Sequence, residues 1–342
     1  MDSSFYYKKG LCGLRNCGNT CYINSITQCL NNNRDFIDYL LTDTYKEDYN
    51  DDSPIDLLEH FIELSKSLYT QNAVIHPGKY ILNIKEIAQQ DPCYQELIGH
   101  GQADSQEFLQ FFLEKMHEQL KYKVEMDISG DIKNDIDRMA ILAYKALRSH
   151  FKNSYSKIVE EFYGLEYSKI FSSTSKDYKS ETFTPFSMLT LEIPSQTNQM
   201  NLHLYDCLDN YTSVENNIRH SQNETDTNTY NKRIQFWNLP NSFIILIKRY
   251  DNHLNKKKNI INFPITNLNM STYCIGYNNN QYMYDLYAIS NHGGEFSGGH
   301  YWSYAKNIDG NWYNFNDTQI TSIEESDLIS SDAYCLFYKK KK

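Results

Sequence analysis

Three of the chain's eight cysteines lie close together in the segment CGNTCYINSITQCL, residues 17–30. A thiol can act as a nucleophile or a metal ligand, but a cysteine on a helix is more often a small buried apolar residue. Zinc sites commonly use Cys-x-x-Cys pairs, whereas four and three residues separate Cys12, Cys17 and Cys21. The spacing does not favour a metal site, so Cys21 is interpreted as a nucleophile or a core residue.

The local pattern predicts that Cys21 lies in the first turn of a helix. Asn19 belongs to the residue types that cap helices well, and apolar residues follow at helical spacing. Free backbone N–H groups and the helix dipole stabilise a thiolate in a first turn. We therefore expect Cys21 to be reactive, and Cys29, two turns later, to face the core and stay inert.

A thiolate nucleophile needs a base, usually histidine, and a third group that orients the base. Among the ten histidines, His300 stands out because two glycines precede it and alternating aromatic residues follow it, in SGGHYWSYAKN. A return strand through GNWYNFNDTQI would bring Asn316 or Asp317 beside His300. Taken alone, His300 fits an ordinary strand histidine equally well.

Composition restricts the class of protein. The 342 residues, 40% of them hydrophobic, suffice for one large domain or two smaller ones. A formal net charge of −10 does not favour a nucleic-acid partner. We find neither a signal peptide nor an apolar run of membrane-spanning length, and scattered cysteines without such a signal are typical of a reducing compartment. We expect an intracellular chain with no nucleic-acid or membrane partner.

The order of elements predicts an α+β fold. Helical spacing predicts helices over 53–68, 103–122 and 134–151. Strands are predicted later, over 186–194, 242–250, 282–290, 300–307, 310–315 and 333–338. Residues 195–232 are polar and are predicted to form a long loop or an extended hairpin region. A cleft between a helical part and a strand part is a usual place for a functional site.

Together these residues resemble the ubiquitin-specific protease family of cysteine deubiquitinases. GLRNCGNTCYINS (13–25) resembles the family's Cys box, and residues 284–318 resemble its His box. Three further segments resemble family motifs: GQADSQEFLQFFLEKM (101–116), LPNSFIILIKRYD (239–251) and FPITNLNMSTY (263–273). The five matches follow the family's order over nearly the whole chain.

The resemblance implies a papain-like core with thumb, palm and fingers. It implies one catalytic domain over residues 10–340, with a thumb at about 10–160, fingers at about 161–238 and a palm mainly at 239–338. The implied activity is hydrolysis of the bond after the C-terminal glycine of ubiquitin, with no cofactor. The implied partners are ubiquitin and ubiquitinated proteins, and we expect a monomer.

The resemblance also assigns catalytic roles. Cys21 matches the nucleophile and His300 the general base, while Asn16 matches the side chain that donates to the oxyanion. Asn316 matches the third catalytic residue. Because neighbours in a strand face opposite sides, we expect Asp317 to point away from His300, toward Asn16.

Two segments match positions that contact the C-terminal tail of ubiquitin. Asp104, Gln106 and Glu107 match residues that bind this basic tail, although Asp-x-x-Glu before an apolar run is also a capping box that would explain both acids. The second segment is a loop through NHGG (291–294) that would cover the tail. The assigned substrate-binding residues are His292 in this loop and Gly298, Gly299 and Tyr301 after it.

One departure from the family concerns zinc. Many relatives hold the fingertips together with a zinc ion on two Cys-x-x-Cys pairs. Here the first pair should fall near Ser172 and Ser175 and the second within 217–233, and neither place has a cysteine. We therefore expect no metal, and fingers held by strand pairing alone.

Two other functions stay open at this point. The chain could be a protease for another modifier that ends in Gly-Gly, because such modifiers share tail recognition. It could also be a catalytically silent ubiquitin-binding module. The intact set of Cys21, His300, Asn316 and Asn16 argues against the silent module, since binding alone has no chemical need for all four.

Overall fold

The computed structural model describes residues 9–48, 56–70, 72–99, 101, 103–125, 128–172, 178–194, 202–219, 229–277, 279–295 and 298–342. Within these ranges the chain forms α1 (Cys21–Asn31), α2 (Arg34–Leu41), α3 (Leu57–Thr70), α4 (Gly78–Gln89), α5 (Ser105–Leu120), α6 (Asp135–His150), α7 (Lys157–Phe162) and α8 (Leu204–Thr212). Short 3-10 helices cover Thr44–Glu47, Pro92–Ile98, Ser271–Tyr273, Asn279–Gln281 and Glu325–Asp327. None of these helices combines the length and the apolar character needed to cross a membrane.

The strands concentrate in the second half of the chain. They are β1 (Gly13–Leu14), β2 (Val74–Ile75), β3 (Tyr122–Lys123), β4 (Ser154–Tyr155), β5 (Gly164–Ser172), β6 (Tyr178–Phe186), β7 (Met188–Glu192), β8 (Leu202–His203), β9 (Glu215–Arg219), β10 (Thr229–Asn238), β11 (Ser242–Lys248), β12 (Ile261–Asn262), β13 (Leu268–Asn269), β14 (Met283–Glu295), β15 (Gly298–Lys306), β16 (Trp312–Asn316), β17 (Gln319–Ile323) and β18 (Ala333–Lys340). The predicted α+β arrangement is therefore confirmed.

Two sheets organise the molecule. The central sheet has the order β17-β16-β15-β14-β18-β11-β7, with β13 paired to β14. Its neighbours are antiparallel except for β11 and β7, which run parallel. The outer sheet has the order β6-β5-β10-β9. The central sheet brings β15 and β16, which carry the predicted base and its partner, side by side.

The central sheet is covered on both faces. Ile244 and Leu246 of β11 belong to the core that it shares with α1, α3 and α5. Phe243, Ile245 and Ile247 face a second core, to which α8 contributes. Burial on both faces explains why β11 is an almost uninterrupted apolar run rather than an alternating one.

Helix α6 packs on the outer sheet, whose strands lie within the range predicted for the fingers, so strand pairing is not the only support of this sheet. Met139 and Ala143 pack in a third core with outer-sheet residues such as Tyr167 and Phe183. A long helix can supply this support because its apolar stripe fits the face of a sheet. Of the segments where the missing zinc ligands were expected, Ser175 and residues 220–228 lie outside the described residues.

The segment 195–232 agrees with its prediction in part, because β9 and the start of β10 pair antiparallel as in an extended hairpin, whereas α8 and β8 were not predicted. The side chain of Asp206 accepts a hydrogen bond from the His203 N–H and starts α8. Leu204, Cys207 and Leu208 then face the core. This apolar stripe has only three residues and lies among many polar ones, so the sequence pattern does not indicate the helix. Residues 195–201 and 220–228 lie outside the described residues.

Candidate active site

The segment before α1 lies against the turn that follows β16. The Leu14 N–H donates a hydrogen bond to the Asp317 carbonyl, at 2.8 Å. A Cβ atom on Gly13 would lie 2.6 Å from the carbonyl oxygen of Thr318. Only glycine permits this approach, which brings residues 13–20 beside the far end of the chain.

The turn CGNT is organised by Asn16. Its Oδ1 atom accepts the backbone N–H groups of Gly18 and Thr20, both at 3.1 Å. Gly18 and Asn19 have positive φ angles of 93° and 54°. Thr20 is therefore the N-cap residue, and the prediction of Asn19 is wrong because its left-handed backbone belongs to the turn. The orientation of the Asn16 amide directs its nitrogen away from the turn.

Cys21 is the first residue of α1, as predicted, and it is buried at 3% exposure. Helix α1 packs against β15, the strand that carries His300. Cys29 is completely buried, and burial raises the pKa of its thiol well above the ordinary value. Cys17 is half-buried, its sulfur lies 3.9 Å from Nε2 of His76, and burial also raises the pKa of Cys17. The three thiols thus lie in different surroundings, and Cys21 and Cys29 share the helix that packs on the histidine strand.

His300 forms a pair with Asn316. Nε2 of His300 lies 2.6 Å from Oδ1 of Asn316. An amide oxygen only accepts hydrogen bonds, so His300 donates its Nε2–H and keeps Nδ1 as the nitrogen that can take a proton. The ring of Trp302 stacks on His300 with centroids 6.2 Å apart. The imidazole is therefore held in one tautomer and one orientation.

Asp317 points away from His300, toward Asn16, as predicted. It lies in the turn between β16 and β17, with a positive φ angle of 49°. One carboxylate oxygen accepts the Asn16 amide at 3.0 Å, and the other accepts the Asn24 amide at 2.8 Å. Asn24 was not identified from the sequence. The sequence held no distinct signal for it, because the same helix also carries Ser25, Thr27, Gln28 and Asn31.

Asp104 is the N-cap residue of α5. Its carboxylate accepts the Gln106 N–H at 2.9 Å, the Tyr334 hydroxyl at 2.7 Å and the Tyr301 hydroxyl at 3.5 Å. Burial raises the pKa of Asp104, and these hydrogen bonds offset part of that effect. Asp104 thus caps the helix, as the predicted capping box requires. It also accepts hydrogen bonds from the hydroxyls of Tyr301 and Tyr334, which helix capping does not require.

Glu107 lies among other acids. Burial, followed by the carboxylates of Glu96 and Asp104, raises the pKa of Glu107 to about 7. Glu96 comes from the 3-10 helix Pro92–Ile98 and was not predicted as a site residue. Gln106, the neighbour of Glu107 on α5, lines a cavity of about 700 Å³ that α5 shares with β7. The start of α5 therefore carries a concentration of negative charge.

His292 and Tyr301 form an aromatic group next to Asp104. They are register partners on β14 and β15, so the loop predicted at 291–294 is instead the end of a strand, and their ring centroids are 4.5 Å apart. The Tyr250 hydroxyl lies 3.0 Å from Nδ1 of His292. Burial, and then the positive charge of Lys256, lower the pKa of His292 to about 4. His292 is therefore a neutral side chain at physiological pH.

The two glycines before His300 have different surroundings. A Cβ atom on Gly299 would lie 2.3 Å from the Gly293 carbonyl oxygen and 2.4 Å from Nε2 of His292. A Cβ atom on Gly298 would meet no atom within 4 Å. Gly299 is thus required by the packing of the hairpin, whereas Gly298 borders open space.

The arrangement suits attack by a thiol on a carbonyl carbon. It combines a cysteine at a helix start, an oriented imidazole, and an amide donor held by a carboxylate. In the part of the chain that the structure describes, no group of three or more His, Cys, Asp or Glu side chains could hold a metal ion.

Comparisons with known proteins agree with this chemistry. The family model "Ubiquitin carboxyl-terminal hydrolase" matches residues 12–338. Ubiquitin carboxyl-terminal hydrolase 2 of Bos taurus is 30% identical over an alignment that covers 97% of this chain and 55% of that protein. Ubiquitin carboxyl-terminal hydrolase 4 of Saccharomyces cerevisiae is 26% identical, over 96% of this chain and 39% of that protein. The chain spans about half the length of the curated relatives it matches.

Solved structures show the same fold. A chain of the SAGA Ubp8/Sgf11/Sus1/Sgf73 DUB module bound to ubiquitin aldehyde is 26% identical, with a TM-score of 0.74 over 98% of this chain and 71% of that chain. A chain of the same kind of module bound to monoubiquitin is 25% identical, with a TM-score of 0.73 over 98% and 70%. The family model covers most of the described site and both halves of the fold. The chain belongs to the ubiquitin carboxyl-terminal hydrolase family.

Proposed function

We propose that this chain is a thiol-dependent deubiquitinase, which hydrolyses the isopeptide or peptide bond after the C-terminal glycine of ubiquitin. The main support is the 2.6 Å contact between His300 and Asn316 on the strands that face the Cys21 helix. A protein that only binds ubiquitin has no need for an imidazole oriented in this way.

In the proposed mechanism the thiol of Cys21 attacks the carbonyl carbon of the terminal glycine. Nδ1 of His300 takes the thiol proton and later gives it to the leaving amine, which breaks the C–N bond and leaves a thioester on Cys21. Water, deprotonated by His300, then attacks the thioester carbonyl carbon, and the C–S bond breaks. The ubiquitin carboxylate is released, and His300 gives its proton to the departing Cys21 thiolate. Asn316 keeps Nδ1 directed at the reaction by accepting the Nε2–H.

Asn16 is the proposed oxyanion donor. Its Oδ1 accepts two backbone N–H groups, and one Nδ2 hydrogen goes to Asp317. The second Nδ2 hydrogen is then available for the carbonyl oxygen as it gains charge. A donor fixed before the reaction stabilises the developing charge without further reorganisation. Asp317 and Asn24 act in this proposal by holding the Asn16 amide.

Substrate binding is proposed at the start of α5 and along the β14–β15 hairpin. Asp104 and Glu107 would take the basic tail of ubiquitin, with Gln106 beside them. His292, Tyr301, Gly298 and Gly299 would form the wall of a narrow channel for the terminal glycines. The ubiquitin aldehyde and monoubiquitin in the related DUB modules support ubiquitin and ubiquitinated proteins as the partners of this chain.

A ubiquitin probe with a C-terminal electrophile tests the proposal. We expect wild-type protein to form a covalent adduct at Cys21, located by mass spectrometry of the peptides. Cys21→Ala should form no adduct and still bind ubiquitin, and the matched control Cys17→Ala should retain most of the rate. If Cys17→Ala were as inactive as Cys21→Ala with its fold intact, the nucleophile would be assigned to the wrong residue.

The same experiment separates the alternatives. Probes built on other modifiers that end in Gly-Gly should react more slowly than the ubiquitin probe. Faster reaction with one of them would make the chain a protease for that modifier. Ubiquitin binding without any adduct would make it a silent binding module.

The organisation of the molecule is part of the proposal. We propose one catalytic domain over 10–340, with the thumb, fingers and palm divided as above, acting without a cofactor inside cells. None of the eight cysteines forms a disulfide in the described structure, which agrees with a reducing compartment. The related DUB modules contain Ubp8 together with Sgf11, Sus1 and Sgf73, so the proposed monomer needs its own test by light scattering.

A further inference from the structure

Lys256 is a lysine whose side chain is almost completely buried behind the candidate active site. Only 3% of its side chain is exposed, although it stands beside two further lysines, Lys257 and Lys258. Its Nζ donates a hydrogen bond to the His292 carbonyl at 2.5 Å and lies 3.0 Å from a carboxylate oxygen of Asp332. Burying an ammonium group is unfavourable unless it is paired and hydrogen-bonded, so these two partners are essential to its position.

The two partners of Lys256 are also joined to each other. The His292 N–H donates to the Asp332 carbonyl at 2.8 Å. Lys256 itself forms a backbone bridge with Tyr250, whose hydroxyl reaches the His292 ring. Lys256 thereby links three segments: the loop after β11, the end of β14 and the residues before β18.

From His292 the contacts continue into the proposed substrate site. Its ring packs on Tyr301, and the hydroxyls of Tyr301 and Tyr334 reach the carboxylate of Asp104. In the β14–β15 register, His292 faces Tyr301, and the next residue, Gly293, faces His300. A displacement of the His292 backbone would therefore move side chains that the proposed mechanism assigns to tail binding.

We propose that Lys256 is a positioning residue for ubiquitin binding: it holds His292, and through His292 it holds the wall of the channel that receives the ubiquitin tail. This inference rests on the proposed function. The ammonium group fixes the carbonyl of β14 at the point where the strand passes the channel, and Asp332 fixes the ammonium group. Lys256 touches neither the substrate nor the reacting atoms.

The test compares two lysines of one loop. Lys256→Met removes the buried charge and keeps most of the side-chain volume, whereas Lys258→Met removes the charge of an exposed neighbour. We expect Lys256→Met to weaken ubiquitin binding and to raise KM by about tenfold, with a much smaller change in kcat, because the wall shifts while the catalytic groups remain. Lys258→Met should match the wild type in both constants.

A second readout follows the His292 imidazole by NMR in the free protein. The charged groups that act on it are Lys256, Asp332 and His300, and Lys256 has the largest effect after burial. Lys256→Met should raise the pKa of His292 from about 4 toward the ordinary value of 6.5. Lys258→Met should leave this pKa unchanged.

Asp332→Asn provides the test if Lys256→Met does not fold. It removes the charge partner of Lys256 and should weaken ubiquitin binding in the same direction, by a smaller factor. Wild-type ubiquitin affinity in a folded Lys256→Met or Asp332→Asn protein overturns the proposal. A wild-type protein that does not bind ubiquitin would instead refute the proposed function, and the His292 titration would then decide whether Lys256 holds His292.

Discussion

The carboxylate of Asp317 lies 3.0 Å from the amide nitrogen of Asn16, although 301 positions separate them in the sequence. The adjacent residue, Asn316, contacts His300 instead. The two neighbours diverge because Asn316 ends β16 and Asp317 begins the turn with a left-handed backbone. One dipeptide therefore holds both the proposed base and the proposed oxyanion donor.

We expect Asn16→Ala to lower kcat by roughly 10² to 10³, the effect of removing one oxyanion donor, with little change in substrate affinity. Asp317→Ala should also lower kcat, because the Asn16 amide loses its acceptor. Both residues act through one hydrogen bond, so their effects on kcat should not multiply. The kcat of the double variant should be higher, by about tenfold or more, than the product of the two single reductions predicts. Single-turnover rates of the three variants measure this coupling.

Asn16→Ala combined with Asn316→Ala is the control pair, since Asn316 contacts His300 rather than Asn16. In this pair the two reductions in kcat should multiply, or come close to multiplying, in the double variant. Multiplicative losses in the Asn16–Asp317 pair would show that Asp317 acts on something other than Asn16. A large rise in KM with unchanged kcat in Asn16→Ala would make Asn16 a binding residue.

Gly13→Ala should destabilise the protein and lower kcat together. Its Cβ would lie 2.6 Å from the Thr318 carbonyl oxygen, so the turn that carries Asp317 must move away from Asn16. Overpacking of this kind costs about 1–3 kcal/mol of unfolding free energy. Denaturant unfolding measures the loss. Gly101→Ala, where an added Cβ meets no atom within 4 Å, should be nearly neutral, and equal losses at both glycines would contradict the explanation.

Glu107 should make both stability and ubiquitin capture depend on pH. Its pKa is raised from 4.5 to about 7 in the folded protein, because burial and the carboxylates of Glu96 and Asp104 disfavour its charge. A raised pKa stabilises the folded state below about 4.5, and this contribution disappears as the pH rises through about 7. Thermal unfolding should therefore show that Glu107→Gln gains stability relative to the wild type over this interval.

Ubiquitin capture should change with pH in the opposite direction. A basic tail binds the ionised carboxylate, so wild-type affinity should increase as the pH rises through about 7. Glu107→Gln should lose that increase, whereas Glu118→Gln, which removes one charge from the same helix, should keep it. Identical pH profiles for all three proteins would remove Glu107 from the proposed tail site.

The contact between Arg138 of α6 and Glu181 of β6 should contribute measurably to the unfolding free energy. Arg138 donates two hydrogen bonds to Glu181, at 2.7 and 3.2 Å, and Tyr167 donates a third at 2.6 Å. Arg138→Met leaves the buried carboxylate without its charged partner, so it should cost about 1–3 kcal/mol of unfolding free energy. Denaturant unfolding, with hydrogen exchange of the outer sheet, tests this expectation.

Asp135→Asn is the matched control for this contact. It removes the exposed ion pair between Asp135 and the same Arg138. Exposed pairs contribute at most about 1 kcal/mol, so the loss should be smaller than in Arg138→Met. Equal losses would show that Arg138 stabilises α6 alone, and that the outer sheet is held without the contact to Glu181.

The sequence alone determined the features that depend on local spacing. The first turn at Cys21, the helix at 103–122 and the strands around His300 follow from apolar periodicity and helix-start residues. The Cys and His boxes, matched in order, indicated the family before any contact was known. These features are readable because each is specified by residues within a few turns or one strand of each other.

Tertiary structure alone decided those contacts between distant residues that no matched motif indicates. The Asp317–Asn24 contact, the Glu96–Glu107 proximity and the burial of Lys256 have no local pattern, because each depends on how separate elements pack. Arg138 illustrates the same limit, since its helix was predicted but its partner Glu181 was not. The prediction that Asn19 caps α1 was wrong for a local reason, because asparagine suits both a helix cap and a left-handed turn. The hydrogen bonds that the Asn16 amide oxygen accepts from Gly18 and Thr20 favour the turn.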